Sequence, residues 1–145
     1  MKLSTKGRYG LRAILDLALH QEEGATSIST ISERTGISVN YLEQLIAKLR
    51  KAELVISIRG AQGGYQLVKT PEAYSVGMIL RLTEGCLAPV ECLAEGALPC
   101  DRHGQCATVE LYKRIYDALN QVVDNMSLQD LLDIEAKKAA SDFVI

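Results

Sequence analysis

Residues 28–68 read ISTISERTGISVNYLEQLIAKLRKAELVISIRGAQGGYQLV, and this stretch decides the fold. Ser38 opens a helix over 38–52 whose apolar residues Leu42, Leu45, Ile46 and Leu49 follow the i, i+3, i+4, i+7 spacing of one buried face. The opposite face carries Asn40, Tyr41, Glu43, Gln44, Lys48 and Lys51, a mixture of amide, carboxylate and cationic groups that can meet base edges and phosphates in a major groove. Before it, ISTISERTG gives a short helix ended at Gly36, so the pair fits a helix-turn-helix. After it, Val55 to Ile58 is a β-branched run, Arg59 to Gly64 is a glycine-rich turn, and Tyr65 to Val68 returns as a second strand. That hairpin is a wing, with Arg59 and Gln62 at its tip placed to enter a neighbouring groove. Singly, an amphipathic helix is core packing and a glycine-rich hairpin is a turn. In this order they predict a DNA-reading head.

Working outward, Ser4 or Thr5 opens a first helix with Leu11, Ile14, Leu15 and Ala18 facing inward, expected to end near residues 22–24 with Gly24 as its left-handed cap. Lys6, Arg8 and Tyr9 in its first turn are placed to touch a DNA backbone. Beyond the wing, Ser75 caps a helix that buries Val76, Ile79 and Leu80 and stops at Gly85. Residues 86–107 lose helical periodicity and hold Cys86, Cys92, Cys100 and Cys106, every cysteine of the chain. From Thr108 a helix returns, with Tyr112, Ile115, Leu119, Val122 and Met126 spaced as a coiled-coil seam that can pair two chains or pack on the same chain's head. Ser127 with Asp130 resembles a capping box and opens a last helix with Leu128, Leu131 and Leu132; the AKKAASDFVI tail is uninformative.

The fold class is therefore mainly α: a winged helix-turn-helix with a long dimerisation helix and a cysteine-bearing loop. Residues 1–70 form the DNA-binding domain, 71–107 the linking helix and cysteine loop, and 108–145 the dimerisation and C-terminal helices. A chain of 145 residues, 48% hydrophobic, supports one head plus an accessory region rather than two large domains. Net charge is −2 overall, yet residues 1–69 carry 10 Lys+Arg against 6 Asp+Glu while residues 70–145 carry 6 against 12. The basic half is the one expected to meet phosphate. No signal segment and no apolar run near the roughly 20 residues of a membrane span is present, so a cytoplasmic protein without a membrane partner is expected. Cysteines kept reduced there favour metal or redox chemistry over structural disulfides.

The cysteines are separated by five, seven and five residues, with no C-x-x-C pair. A zinc site thus lacks its usual spacing, whereas several thiolates on one loop suit an iron-sulfur cluster; thiol-based redox sensing and inert cysteines stay open beside them. The two histidines, His20 and His103, lie far apart with no motif pairing a nucleophile and a base, so the chain is not expected to be an enzyme.

MKLSTKGRYGLRAILDLA, SVNYLEQLIAKLRKAELVISIRGAQGGYQL, the TEG before Cys86 and MSLQDLL near the end resemble the Rrf-type family of bacterial winged-helix repressors over nearly the whole chain. The resemblance is most specific in YLEQL and RGAQGGY. It implies a homodimer on a partly palindromic double-stranded operator, with DNA contacts at Tyr9, Ser38, Asn40, Glu43, Gln44 and Arg59. Members that regulate iron-sulfur cluster assembly hold a 2Fe-2S cluster before the dimer helix, which implies Cys92, Cys100 and Cys106 as ligands here. Members that regulate cysteine metabolism, acting with a cysteine-biosynthesis enzyme, lack those cysteines. Two departures stand out: seven residues lie between Cys92 and Cys100 where the cluster pattern has five, and Val109 stands where it has histidine. The fourth ligand is therefore open among Cys86, His103, Glu110 and a residue of the second chain. Members that sense nitric oxide or redox state place an acidic ligand near the N-terminus, where this chain has Arg8.

Overall fold

The computed structural model describes residues 1–142; residues 143–145, the end of the tail, lie outside the described part. Serine side chains start most of the helices. Ser27 accepts from the Thr30 amide at 3.2 Å to open α2 (Ile28–Thr35), and Ser38 accepts from the Tyr41 amide at 3.3 Å to open α3 (Val39–Lys51). α1 (Thr5–Leu19) precedes them, and the wing follows as β1 (Val55–Ile58) and β2 (Gly64–Leu67). Ser75 caps α4 (Val76–Glu84) through the Met78 amide at 3.1 Å. α5 (Ala107–Asp124) and α6 (Leu128–Asp142) complete the chain. At the start of α6 the expected capping box is present: Asp130 N–H donates to Ser127 Oγ at 3.1 Å while Ser127 N–H donates to Asp130 Oδ2 at 2.8 Å.

One expectation about α1 is corrected. The helix ends at Leu19, and Gly24 instead closes a separate 3-10 turn over Gln21–Glu23, with φ 89° and ψ −154° rather than a left-handed helical cap. Ser4 stands at the N-cap of α1 as expected, but its side chain bonds across to α4 rather than to its own helix. Its hydroxyl and its amide both donate to Glu84 Oε1, at 2.9 and 2.8 Å, so a carboxylate at the end of α4 sits on the positive end of α1. Gly7 and Gly10 permit this approach: a Cβ at Gly10 would lie 2.6 Å from Thr83 Cγ2.

β1 and β2 pair antiparallel, Val55 opposite Leu67 and Ile58 opposite Gly64. A third backbone segment joins them, because Thr26 and Tyr65 exchange amide-to-carbonyl bonds of 2.9 and 2.8 Å. Gly64 makes that bridge possible, since its φ is 152° and a Cβ would fall 2.3 Å from the Thr26 carbonyl oxygen.

The main core gathers Ile14 and Leu17 of α1, Ile31 of α2, Leu42, Ile46 and Leu49 of α3, Val55, Leu67, Tyr74, Ile79 and Leu128. Each fully buried aliphatic side chain contributes about 1.5 to 3 kcal/mol. Leu128 belongs to this core, with Leu131 and Leu132 packed against it, so the C-terminal helix lies back on the head. A second cluster of Val76, Leu80 and Val123, with Leu119 and Met126 against it, joins α4 to α5. Along α5, Val123 is buried toward α4 while Val122, a residue of the expected seam, is 61% exposed, so the chain's own head leaves that part of the seam uncovered.

Candidate nucleic-acid interface and cysteine loop

On α3 the side chains of Asn40, Glu43, Gln44, Lys48 and Lys51 are exposed, opposite the buried Leu42, Leu45, Ile46 and Leu49. Arg59 and Gln62 are exposed at the wing tip, where Gly60 takes φ 111° and its carbonyl accepts from Gly63 N–H at 3.0 Å. Ser38 is exposed but its oxygen already caps α3, leaving its hydroxyl hydrogen free to donate. Tyr41 does not project from the free face as expected. It is half-buried and meets Tyr9 edge-on, ring centroids 5.5 Å apart at 81°, because its position flanks the buried stripe and a large ring there covers the core's rim.

Tyr74 fixes the base of the wing. Its buried hydroxyl accepts from the Val68 and Lys69 amides at 3.0 and 2.9 Å and donates to the Leu54 carbonyl at 2.8 Å. Sequence reading missed this, since Tyr74 contacts residues on both sides of the hairpin and carries no local pattern. Asp16 was missed likewise. Its side chain is only 9% exposed, and burial pushes its carboxyl above the ordinary range despite the opposing charges of Arg34 and His20.

The loop between α4 and α5 carries the four cysteines and two short 3-10 turns, Glu91–Leu93 with Cys92 in it and His103–Gln105 just before Cys106. Cys92 and Cys106 are half-buried, Cys86 and Cys100 exposed, and none is in a disulfide. Cys86 accepts from the Ala88 amide at 3.4 Å. His103 N–H donates to the Cys100 carbonyl at 2.8 Å, placing those two residues in one turn. Cys106 occupies the N-cap of α5; bonds from the Thr108 hydroxyl and the Val109 and Thr108 amides, together with the charge of Arg102, draw its thiol below the ordinary range. Glu110 is engaged by the Lys113 ammonium at 3.0 Å, which holds its carboxyl low. Val109 is buried, a non-ligating side chain that anchors the first turn of α5. Among the described residues no three His, Cys, Asp or Glu side chains converge on a metal-sized position. The donor chemistry of four free thiols on one loop nonetheless suits iron.

Arg81 ties α4 to α5. One guanidinium nitrogen donates to Asp124 Oδ1, the other to Asp124 Oδ2 at 2.9 Å and to Asn120 Oδ1 at 2.8 Å. That bidentate hold keeps the Asp124 carboxyl below its usual range. Gly77 leaves room for it, since a Cβ there would collide with the Asp124 carboxylate.

A family model for Rrf2, described as an iron-dependent transcriptional regulator, matches residues 3–134. The chain belongs to the Rrf2 family of transcriptional regulators. Among Rrf2 relatives, the HTH-type transcriptional regulator CymR of Bacillus subtilis is 47% identical over 131 residues, covering 90% of this chain and 89% of that protein. The HTH-type transcriptional regulator IscR of Aliivibrio salmonicida is 40% identical over 142 residues, covering 98% and 83%. The solved structure of T. potens IscR superposes with a TM-score of 0.77 at 42% identity, covering 96% of this chain and 90% of that one. The Rrf2 winged-helix fold and a role in transcription regulation rather than catalysis are thereby shown. Among the described residues no helix is long and apolar enough to cross a membrane.

Proposed function

We propose that this Rrf2 regulator is a cytoplasmic homodimeric repressor that reads a partly palindromic operator and senses iron-sulfur supply through a 2Fe-2S cluster, controlling cluster-assembly genes. The observation that carries the reading is the placement of Cys92, Cys100 and Cys106 on the one loop that ends in the N-cap of α5.

In each subunit α3 enters a major groove and the 59–64 turn the adjacent groove, with half-sites about one helical turn apart. Asn40 and Gln44 address base edges, Glu43 favours a cytosine amine and repels other partners, and Ser38, Tyr9, Lys48 and Lys51 hold the backbone. Tyr41 supports Tyr9 from the rim. Two copies pair through the α5 face left uncovered in one chain, where Leu111 is 55% and Val122 61% exposed. Cys92, Cys100 and Cys106 are the ligands, with the fourth drawn from Cys86, His103, Glu110 or the second chain; Glu110 must first release Lys113. The cluster supplies a centre whose presence and charge follow iron supply and oxidation state. Because Cys106 is also the cap of α5, ordering the loop acts on the first turn of that helix. Arg81 and Asp124 pass a change in α5 to α4, and so to the spacing of the two heads.

A second reading is favoured by the 47% identical relative named CymR: a repressor of cysteine metabolism acting with a cysteine-biosynthesis enzyme. A third, a zinc or thiol redox sensor, is favoured by the lowered pKa of the Cys106 thiol. Anaerobic purification with a visible spectrum and iron and sulfide analysis separates them. The cluster reading expects brown protein that turns colourless in Cys92→Ala. Colourless wild type with stoichiometric zinc overturns it, and a co-purifying partner enzyme supports the second reading.

A further inference from the structure

A cleft where α1, α2 and α6 meet takes part in neither the DNA surface nor the cysteine loop. It has a volume of about 350 Å³, at the small end of the ~300 to 1,000 Å³ of ligand pockets, and is open on one side. Two guanidinium groups, Arg12 and Arg34, and two carboxylates, Asp16 and Glu135, line it beside Leu15 and Leu19.

We propose that this cleft binds a free L-α-amino acid with an apolar side chain, its ammonium on Asp16 and its carboxylate on Arg12 and Arg34. Asp16 is nine-tenths buried, yet its Oδ2 receives no hydrogen bond from the protein. The Arg34 nitrogen stands 3.6 Å from that oxygen, beyond hydrogen-bond range. His20 Nδ1 is 3.6 Å from the other carboxylate oxygen and already meets the Asp16 carbonyl at 2.9 Å. That oxygen is closed to solvent with Arg34 against it, so a ligand ammonium, which brings three donors, reaches it as Arg34 turns to the ligand's carboxylate.

The remaining groups narrow the ligand. Arg12 spends one long bond of 3.4 Å on the Thr35 carbonyl, so most of its five donors stay available to a carboxylate. An anion alone would face Asp16 and Glu135; a metal cation alone would face Arg12 and Arg34. A zwitterion meets both demands. Leu15 is half-buried and Leu19 is 53% exposed, which gives an aliphatic side chain a wall to lie on. Arg12 also sits 5.3 Å over the Tyr9 ring, so a ligand that recruits Arg12 alters a contact of the residue proposed to hold the DNA backbone.

The test is an amide NMR titration of the intact protein with L-leucine, N-acetyl-L-leucine and L-leucinamide. L-leucine is expected to shift the amides of residues 12–20 and 34–35 saturably, with each derivative at least tenfold weaker because it lacks one charge. Asp16→Asn and Arg34→Gln each lower the L-leucine affinity at least tenfold while the rest of the spectrum stays unchanged. Where one variant fails to fold, the other decides. No saturable shift in the wild type up to about 10 mM overturns the proposal, as does equal binding of either derivative or undiminished affinity in a folded variant. Loss of the cluster leaves this result unaffected, so the two readings fail separately.

Discussion

The Tyr74 hydroxyl donates to the Leu54 carbonyl at 2.8 Å, and this bond pins the entry of the wing to the chain that leaves it. The same oxygen accepts from two amides beyond β2, so one buried phenol serves three backbone groups on both sides of the hairpin. Tyr74→Phe strands those groups in the core. A loss of about 1 to 3 kcal/mol is expected in urea denaturation, with weaker operator binding from a less ordered wing.

Arg59 is exposed at the tip that Tyr74 steadies. Arg59→Ala is expected to cost about 1 to 3 kcal/mol of discrimination between operator and random duplex, read by fluorescence anisotropy. Unchanged selectivity would remove the wing from sequence reading.

Lys48 is expected to hold phosphate rather than a base. Lys48→Ala should weaken all duplexes alike and reduce the slope of log affinity against log salt by about 1.

The Arg81 to Asp124 pair carries a pH signature. The folded carboxyl is held below its ordinary 3.8, so in that window the unfolded chain binds the extra proton and the pair's stabilisation is present above 3.8, then lost as pH falls through the lowered value. Thermal melts of Asp124→Asn should show a shallower acid decline than wild type.

Asp16 has the opposite sign. Burial raises its folded carboxyl above 3.8, so its contribution is complete below 3.8 and is lost as pH rises through the raised value. Asp16→Asn should therefore equal or exceed wild type in thermal stability at pH 7, and fall relative to it in acid.

What was legible in the sequence was local. Ser27, Ser38, Ser75 and the Ser127 to Asp130 box each bond within three residues, so their helices could be read from spacing. The glycines of the wing were legible because the turn they make is itself short. What escaped were contacts across the chain: Ser4 with Glu84, Thr26 with Tyr65, Arg81 with Asp124. The choice of Val123 over Val122 escaped for the same reason, because which stripe of α5 is buried depends on where α4 lies. Tyr41 misled because an aromatic ring at the edge of a buried stripe belongs partly to each face.

One backbone closure bears on how the cysteine-bearing segment relates to the head. Ser75 and Ser127 lie side by side, with Val76 N–H donating to the Met126 carbonyl at 2.8 Å and Leu128 N–H to the Tyr74 carbonyl at 2.9 Å. The polypeptide thus departs from the DNA-reading body and re-enters it at one doorstep. Within that excursion α4 stays part of the body through Ile79 and Glu84, whereas the 86–106 loop beyond it is a side branch whose length and chemistry can change without rethreading the body, so that segment is exchangeable while the reader is kept.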